Sequence, residues 1–253
     1  MKLDEKIKNK YLYNAENNIL KTIYYFFQRF KLVKRNYTVT GVDLLLDRFF
    51  KSIKVINGVY IDVGCNHPFF NSNTYMLYRN GWSGINIDLD FNFVDMFNNF
   101  RPGDFNKQLA VASKSGETDF YFYHNKSAIN TLSQEMHTAR GNNSKEVKKI
   151  QTQTLNSIIE SSPYAYKNIN LLTVDVEGFE MEVLKGFDLK KYCPDIIILE
   201  YLDTSMKKYE FYNHNIDNLI KSDLFNFMVK NEYTFVNWID SDLVFVNNKI
   251  RNE

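Results

Sequence analysis

From Gly58 onward, short runs of β-branched and other apolar residues alternate with longer stretches of helical spacing. This alternation is typical of βαβ units, in which helices bury both faces of a parallel sheet. The chain is therefore predicted to be an α/β protein with a Rossmann-like parallel sheet. We predict its strands over residues 59–63, 84–88, 107–112, 171–174 and 196–200.

The segments between and after these strands predict helices and a closing hairpin. Residues 124–149 match neither the helical nor the strand period, and we expect an excursion over the strand ends, where open α/β sheets bind ligands. The last two strands should form an antiparallel pair beside the parallel ones. The predicted helices cover residues 42–53, 72–78, 91–100 and 215–230, and the hairpin strands cover 233–238 and 243–247.

The chain ahead of the first strand predicts a helical extension over residues 1–56, followed by a Rossmann-like domain over residues 57–253. Residues 1–40 hold nine Lys and Arg against three Asp and Glu, and apolar side chains recur there at helical spacing. Such a stripe packs on the core or on a second copy in a homodimer. The alternative is contact between a basic, aromatic face and an anionic membrane surface.

Composition narrows the class of protein. The 253 residues carry 31 Lys and Arg against 30 Asp and Glu, which gives no field strong enough to indicate a nucleic-acid partner. Cys65 and Cys193 are too few for a disulfide framework, and we find no uninterrupted apolar run of about 18 residues. These features predict a soluble, cytoplasmic protein.

Two consecutive strands end in an acid. Asp62 is followed by Gly64, which lets backbone approach a ligand, and Asp88 closes the next strand. The G-x-G-x-x-G pattern of dinucleotide sites is absent, so a ligand without a diphosphate is expected. Asp88 can accept hydrogen bonds from ribose hydroxyls, although an acid there also suits a turn or helix cap. Both carboxylates together suit an aminoacyl adenosine.

A third strand, over residues 171–174, is followed by three acids and a glycine. Asp175 and Glu177 are candidates for a general base, which must lie within hydrogen-bond reach of the proton that it removes. Glu180 is predicted to be a first-turn helix acid, favourable with the helix dipole.

Six short motifs follow one another along the chain. They are Asp62-Val63-Gly64-Cys65-Asn66, Ala112-Ser113-Lys114-Ser115-Gly116-Glu117, Thr154-Leu155-Asn156, Asp175-Val176-Glu177-Gly178, Val183-Leu184-Lys185-Gly186 and Ile198-Leu199-Glu200. In this order the motifs resemble those of the FkbM-type methyltransferase family. The resemblance implies a class I methyltransferase fold that uses S-adenosylmethionine, with Gly64 near the methionine part, Asp88 near the ribose and the backbone around Leu109 and Ala110 near the adenine. It also implies an acceptor hydroxyl on a polyketide, glycan or sugar precursor.

The predicted site has three groups of residues. Two positions depart from the family pattern: Cys65 stands where a small residue is frequent, and His67 follows Asn66 in place of a glycine-like turn. His67 could take a proton near neutral pH or could be a structural loop residue. The cofactor group is Asp62, Gly64, Cys65, Asn66, Asp88, Leu109 and Ala110; the catalytic group is Asp175, Glu177 and His67; the substrate group is Asn73, His124 and Glu200.

The sequence does not decide whether the protein binds a metal or which acceptor it methylates. Asp175, Glu177 and Glu200 could hold a divalent cation, but nothing in their spacing demands one, and no metal is predicted. The expected activity is O-methylation of a sugar, sugar nucleotide or surface glycan in polysaccharide biosynthesis. The alternatives are an N-methyltransferase on an amino sugar, a catalytically silent binding module and, disfavoured by the net acidic core, a nucleic-acid methyltransferase.

Overall fold

The computed structural model describes residues 36–124, 127, 129–203 and 213–251. The predicted N-terminal helices up to Arg35 lie outside these residues. The first half holds α1 Val42–Ser52, β1 Val59–Val63, α2 Tyr75–Arg79, β2 Ser83–Asp88, α3 Phe91–Phe100, β3 Phe105–Gln108, β4 Ala110–Val111 and β5 Gly116–Phe122. The second half holds α4 Gln134–Ala139, β6 Glu146–Gln153, α5 Leu155–Glu160, β7 Leu171–Val174, α6 Glu180–Lys185, α7 Leu189–Tyr192, β8 Ile196–Glu200, α8 Ile216–Lys221, α9 Asp223–Lys230, β9 Tyr233–Ile239, β10 Asp242–Asn247 and α10 Asn248–Arg251.

A seven-stranded sheet in the order β3-β2-β1-β7-β8-β10-β9 forms the centre of the fold. The first five strands are parallel, and β10 pairs antiparallel with both β8 and β9. The predicted fold class, a Rossmann-like parallel sheet closed by an antiparallel hairpin, is confirmed. Because β1, β2, β7 and β8 run in the same direction, their carboxyl ends meet at one edge of the sheet.

Alternate residues of each strand enter opposite hydrophobic layers. Ile61 and Leu172 pack with α5, α6, α7 and α9 on one face, whereas Tyr60 and Leu171 pack with α1 and α2 on the other. This two-sided burial explains why the strands read as continuous apolar runs. The described residues from Tyr37 onward belong to one compact unit. The domain boundary at residue 57 stays a prediction. No helix in these described ranges has the length and apolar character needed to cross a bilayer.

Three segments differ from their predictions. The strand expected over 107–112 is two strands, because the chain leaves the large sheet after β3 and, one residue later, β4 pairs with β6 in the second sheet. The helix expected over 215–230 breaks at Ser222, whose side chain caps α9 by accepting the N–H of Phe225. The predicted excursion contains α4 and half of β6, and β6 lies between β4 and β5 in a second, three-stranded sheet.

A buried ion pair joins the first two strands to the loop after β1. The side chains of Arg101 and Asp104 have no exposed surface, and Nε of Arg101 lies 3.1 Å from Oδ2 of Asp104. Arg101 also donates to the hydroxyls of Tyr60 and Thr74, at 2.8 and 2.9 Å. Asp104 accepts from the Tyr60 hydroxyl at 2.6 Å and from the Gly84 N–H at 2.9 Å. The pair therefore fixes β1, β2 and the loop relative to one another.

Replacement of Asp104 should destabilise the whole domain. Asp104→Asn removes the charge that compensates a fully buried guanidinium, and we expect a loss of about 3–5 kcal/mol in the free energy of unfolding. Urea denaturation followed by circular dichroism measures this loss. Asp47→Asn is the matched control, because it breaks a solvent-exposed ion pair with Lys51 and should cost less than about 1 kcal/mol. Equal losses in both variants would contradict the role of the buried pair.

Candidate active site

A cavity of about 340 Å³ opens at the carboxyl edge of the large sheet. This volume falls in the range of small-molecule pockets. The ends of β1, β2 and β7 form one side of the cavity, and residues of the second sheet, including Phe120, Phe122 and Lys148, form another. The cavity therefore lies where parallel α/β sheets bind ligands.

Gly64 gives the floor of the cavity its shape. Its φ of 79° is in the left-handed region, and a Cβ atom there would lie 1.7 Å from the carbonyl oxygen of Asp175. The Gly64 N–H donates to Ile87 O, and the Asp175 N–H donates to Val63 O, both at 2.9 Å. Only glycine fits this close crossing of the β1 and β7 ends, so bare backbone is presented to a ligand.

Asp88 is held rigidly and keeps capacity to bind a ligand. Its carboxylate oxygens accept the N–H groups of Asn66 at 2.9 Å and Asp90 at 2.8 Å. A carboxylate can accept about four hydrogen bonds, so ribose hydroxyls can still be accommodated. Burial raises the pKa of Asp88, and these backbone hydrogen bonds oppose the rise.

Apolar side chains also line the cavity. Phe91, Leu109 and Val111 are among them, together with the polar Asp90 and Asn92. The Leu109 N–H already donates to Asp88 O at 3.0 Å, so the Leu109 side chain is better placed than its N–H to contact an adenine. An acidic group for a ribose beside apolar walls for a flat ring fits the adenosyl part of S-adenosylmethionine.

The opposite end of the cavity is acidic. Ligand oxygens of Asp175, Glu177 and Glu200 all lie within 4.8 Å of one another. Solvent in the cavity reaches Asp175, yet the protein around it is dense enough that desolvation, followed by repulsion from Glu177, raises its pKa. Glu200 is buried, and desolvation raises its pKa too. Glu177 forms an ion pair with Arg140, Oε2 to Nη2 at 2.5 Å, and this pair opposes the rise that burial produces in its pKa.

Glu180 begins α6, as predicted for a first-turn helix acid, and its side chain also binds the turn that precedes the helix. Its Oε1 accepts the N–H groups of Val176 at 3.0 Å and Gly178 at 3.2 Å. The buried carboxylate therefore fixes the turn that carries Glu177 into the cavity.

Not all predicted site residues line the cavity. Asp62 is buried and accepts a hydrogen bond from Thr74 at 2.7 Å. Nδ1 of His67 accepts the N–H groups of Phe69 and Phe70, and burial lowers the pKa of His67. The lining includes Gly64, Asn66, Asp88, Leu109, Ala110, Asp175 and Glu177, whereas Asp62, Cys65, His67, Asn73, His124 and Glu200 are outside it.

Several residues of the cavity were missed from the sequence. Phe120 and Phe122 come from β5, whose run of aromatic residues over 120–122 was a usable signal of a strand. Lys148 comes from β6, which is exposed along most of its length and so has no apolar alternation to detect. Arg140 follows α4 and reaches Glu177 across the chain, a contact that no local pattern indicates.

This fold and cavity define the class. A largely parallel sheet with a cavity at the carboxyl ends of its strands is the arrangement of a class I S-adenosylmethionine-dependent methyltransferase. A family model, the methyltransferase FkbM domain, matches residues 62–227. The match covers more than half of the chain, which therefore belongs to the FkbM methyltransferase family.

Two solved structures are similar to the chain. The TehB-like SAM-dependent methyltransferase from Corynebacterium glutamicum is 8% identical, with 90% of this chain and 97% of that chain covered, at a TM-score of 0.41. The O-methyltransferase from Bacillus cereus in complex with SAH is 11% identical, with 96% of each chain covered, at a TM-score of 0.39. Curated proteins give no match. The family assignment rests on the family model.

The buried Asp62 predicts a pH-dependent stability difference. Burial raises the pKa of Asp62 to about 6. An unfolded Asp titrates near about 3.9, so the folded state binds this proton more tightly and loses stability as pH rises from about 4 to about 6. Asp62→Asn does not titrate and keeps an oxygen for Thr74, so its stability relative to wild type should increase across that window.

Urea midpoints at several pH values measure the difference. Asp95→Asn, an exposed position on α3, is the control and should show a nearly constant difference from wild type. A flat profile for Asp62→Asn would show that Asp62 is not the titrating group.

Proposed function

We propose that this enzyme transfers the methyl group of S-adenosylmethionine to a hydroxyl of a sugar, sugar nucleotide or surface glycan. The observation that carries the proposal is the two-ended cavity, with Asp88 at one end and Asp175 and Glu177 at the other. The first end suits the adenosyl part of the cofactor, and the second supplies the acids that an acceptor hydroxyl needs. Asp62, Cys65 and Asn66 are proposed to support the cofactor loop, which is the segment between β1 and α2.

In the proposed mechanism the protein binds, orients and removes a proton. The bound cofactor supplies an electrophilic methyl group on a sulfonium. Asp88 would accept the ribose hydroxyls, and backbone at Gly64 would support the methionine part. Asp175 would take the proton of the acceptor hydroxyl as that oxygen receives the methyl group that the cofactor would supply. Alignment of the reacting atoms supplies much of the barrier lowering.

The contacts favour Asp175 over the other candidate bases. Glu177 is committed to Arg140, and Nδ1 of His67 is committed to backbone N–H groups. Asp175 faces the cavity with a raised pKa, which suits a base that must exchange a proton near neutral pH.

The wall from the second sheet supports a sugar acceptor. Phe120 and Phe122 offer aromatic surface to the apolar face of a sugar ring, and Nζ of Lys148 lies 4.8 Å from the centroid of the Phe122 ring. A lysine at this position can also meet the phosphate of a sugar nucleotide. Asn73, His124 and Glu200 are proposed to contact the acceptor.

A second candidate is N-methylation of an amino sugar. The acid cluster of Asp175, Glu177 and Glu200 is the observation that favours it, because grouped carboxylates attract an ammonium group. Mass spectrometry of the product distinguishes O-methylation from N-methylation.

We further propose that the enzyme acts in the cytoplasm on precursors of polysaccharide biosynthesis, which agrees with the free thiols of Cys65 and Cys193. A homodimer or membrane contact through the basic N-terminus stays a prediction.

Wild-type protein should bind S-adenosylmethionine, and Asp88→Ala should weaken that binding at least about tenfold, because hydrogen bonds to a charged group are lost. Isothermal titration calorimetry measures both affinities, and circular dichroism checks the fold. Asp95→Ala, on the exposed side of α3, is the control and should bind like wild type. Absence of binding heat when S-adenosylmethionine is titrated into the wild-type protein would contradict the cofactor assignment.

Asp175→Asn should abolish turnover while cofactor binding persists, since the change removes the proposed base but not the contacts to the adenosyl part. Glu177→Gln should reduce turnover through its lost ion pair with Arg140. The assay is transfer of labelled methyl to a panel of sugar nucleotides and oligosaccharides. Full activity in both variants would show that His67 or another group, and not Asp175 or Glu177, is the base.

A further inference from the structure

Three carboxylates from two strand ends lie close together, two of them in the lining of the cavity and the third, Glu200, outside that lining. Asp175 and Glu177 follow β7, and Glu200 closes the neighbouring β8. We infer that Asp175, Glu177 and Glu200 form a binding site for one hard divalent cation. The cation site itself does not depend on the proposed function, whereas its use in catalysis rests on it.

The spacing of the oxygens fits a single cation. Each residue offers one oxygen, and these oxygens lie within 4.8 Å of one another. Two oxygens on opposite sides of Mg²⁺ are about 4.2 Å apart, and on opposite sides of Ca²⁺ about 4.6–5.2 Å apart. One ion can therefore reach all three carboxylates with small rotations of the side chains.

The donor set selects the chemical class of the ion. All three ligands are carboxylate oxygens, which suit Mg²⁺, Mn²⁺ and Ca²⁺ better than the metals that prefer imidazole or thiolate. Three protein ligands leave coordination positions for water or an acceptor oxygen.

The second observation is an unpaired oxygen in the cluster. Glu200 is only 7% exposed, and among the described residues its Oε2 has no hydrogen-bond partner. Buried polar atoms in native proteins nearly always have a partner, and a bound water or ion is one explanation of an atom without one. A cation bound at the cluster would supply the missing interaction.

The negative charges around the cluster also favour a bound cation. Asp62 and Asp242 also act on Asp175 electrostatically, and both add negative charge. Within the described ranges, the ion pair that offsets this charge is the contact of Arg140 with Glu177. Buried charges are costly unless they are paired or bind a metal. A divalent cation would balance the excess.

In the proposed reaction the cation would bind the acceptor oxygen and lower the pKa of its hydroxyl. The hydroxyl proton would then leave to water or to a carboxylate oxygen that is not bound to the ion. The carbon–oxygen bond forms and the carbon–sulfur bond breaks as in the mechanism without a metal, so no oxidant or further reactant is needed.

Binding of Mn²⁺ alone to the full chain tests the site without any acceptor. After removal of metals with EDTA and exchange into EDTA-free buffer, electron paramagnetic resonance of free Mn²⁺ should show one saturable site per chain, with Mg²⁺ competing. Glu200→Gln keeps the shape of the side chain and should weaken Mn²⁺ binding at least about tenfold. Glu117→Gln, an exposed acid on β5, is the matched control and should bind like wild type.

Two outcomes would overturn the inference: no saturable Mn²⁺ site in wild type, or equal Mn²⁺ affinity in wild type and Glu200→Gln. If Glu200→Gln does not fold by circular dichroism, Glu177→Gln takes its place, because Glu177 is partly exposed. Titration of S-adenosylmethionine in EDTA separates the two proposals. Cofactor binding without a Mn²⁺ site leaves the methyltransferase proposal intact and removes the cation.

Discussion

The position of the cofactor loop depends on the buried pair of Arg101 and Asp104. Arg101 donates a hydrogen bond to Thr74, which in turn donates to Asp62, so the guanidinium holds the end of this loop against β1. Asp104 reaches Gly84 at the start of β2, the strand that ends in Asp88. A charge pair with no exposed surface is costly unless every partner is present. The geometry of the cavity is therefore coupled to correct packing of β1 on β2.

Four of the six family motifs do not line the cavity, and three of these four make packing contacts that support the fold. A Cβ atom on Gly186 would lie 2.4 Å from Ala112 O, so this glycine permits the close approach of the chain at the second sheet. Asn156 joins the same contact, since its N–H donates to Gly186 O and its side chain accepts the Asp188 N–H. Ser113 donates to Glu182 of α6. These motifs therefore identify the family through packing, and only the strand-end motifs identify the site.

The sequence was sufficient to predict the features of the site that follow from the parallel direction of the strands. Gly64, Asp88 and Asp175 follow three neighbouring buried strands, so their meeting at one edge was deducible from apolar runs and the crossover rule. The second sheet was not deducible, because solvent covers most of β6 on both faces. Arg101 was not deducible either, since a charged residue after a helix reads as exposed and only tertiary contacts reveal its burial.

The acid end of the cavity raises an electrostatic question that any methyl-transfer mechanism here must answer. A sulfonium carries a positive charge that is lost as the methyl group moves to oxygen. Unbalanced carboxylates at Asp175, Glu177 and Glu200 would stabilise that charge more in the reactant than in the transition state, and such binding slows the chemical step. A proton on Glu200, or a divalent cation between the three acids, would reduce this penalty and leave Asp175 able to take the proton of the acceptor hydroxyl. The cluster therefore makes physical sense as a catalytic element only when its own charge is largely neutralised.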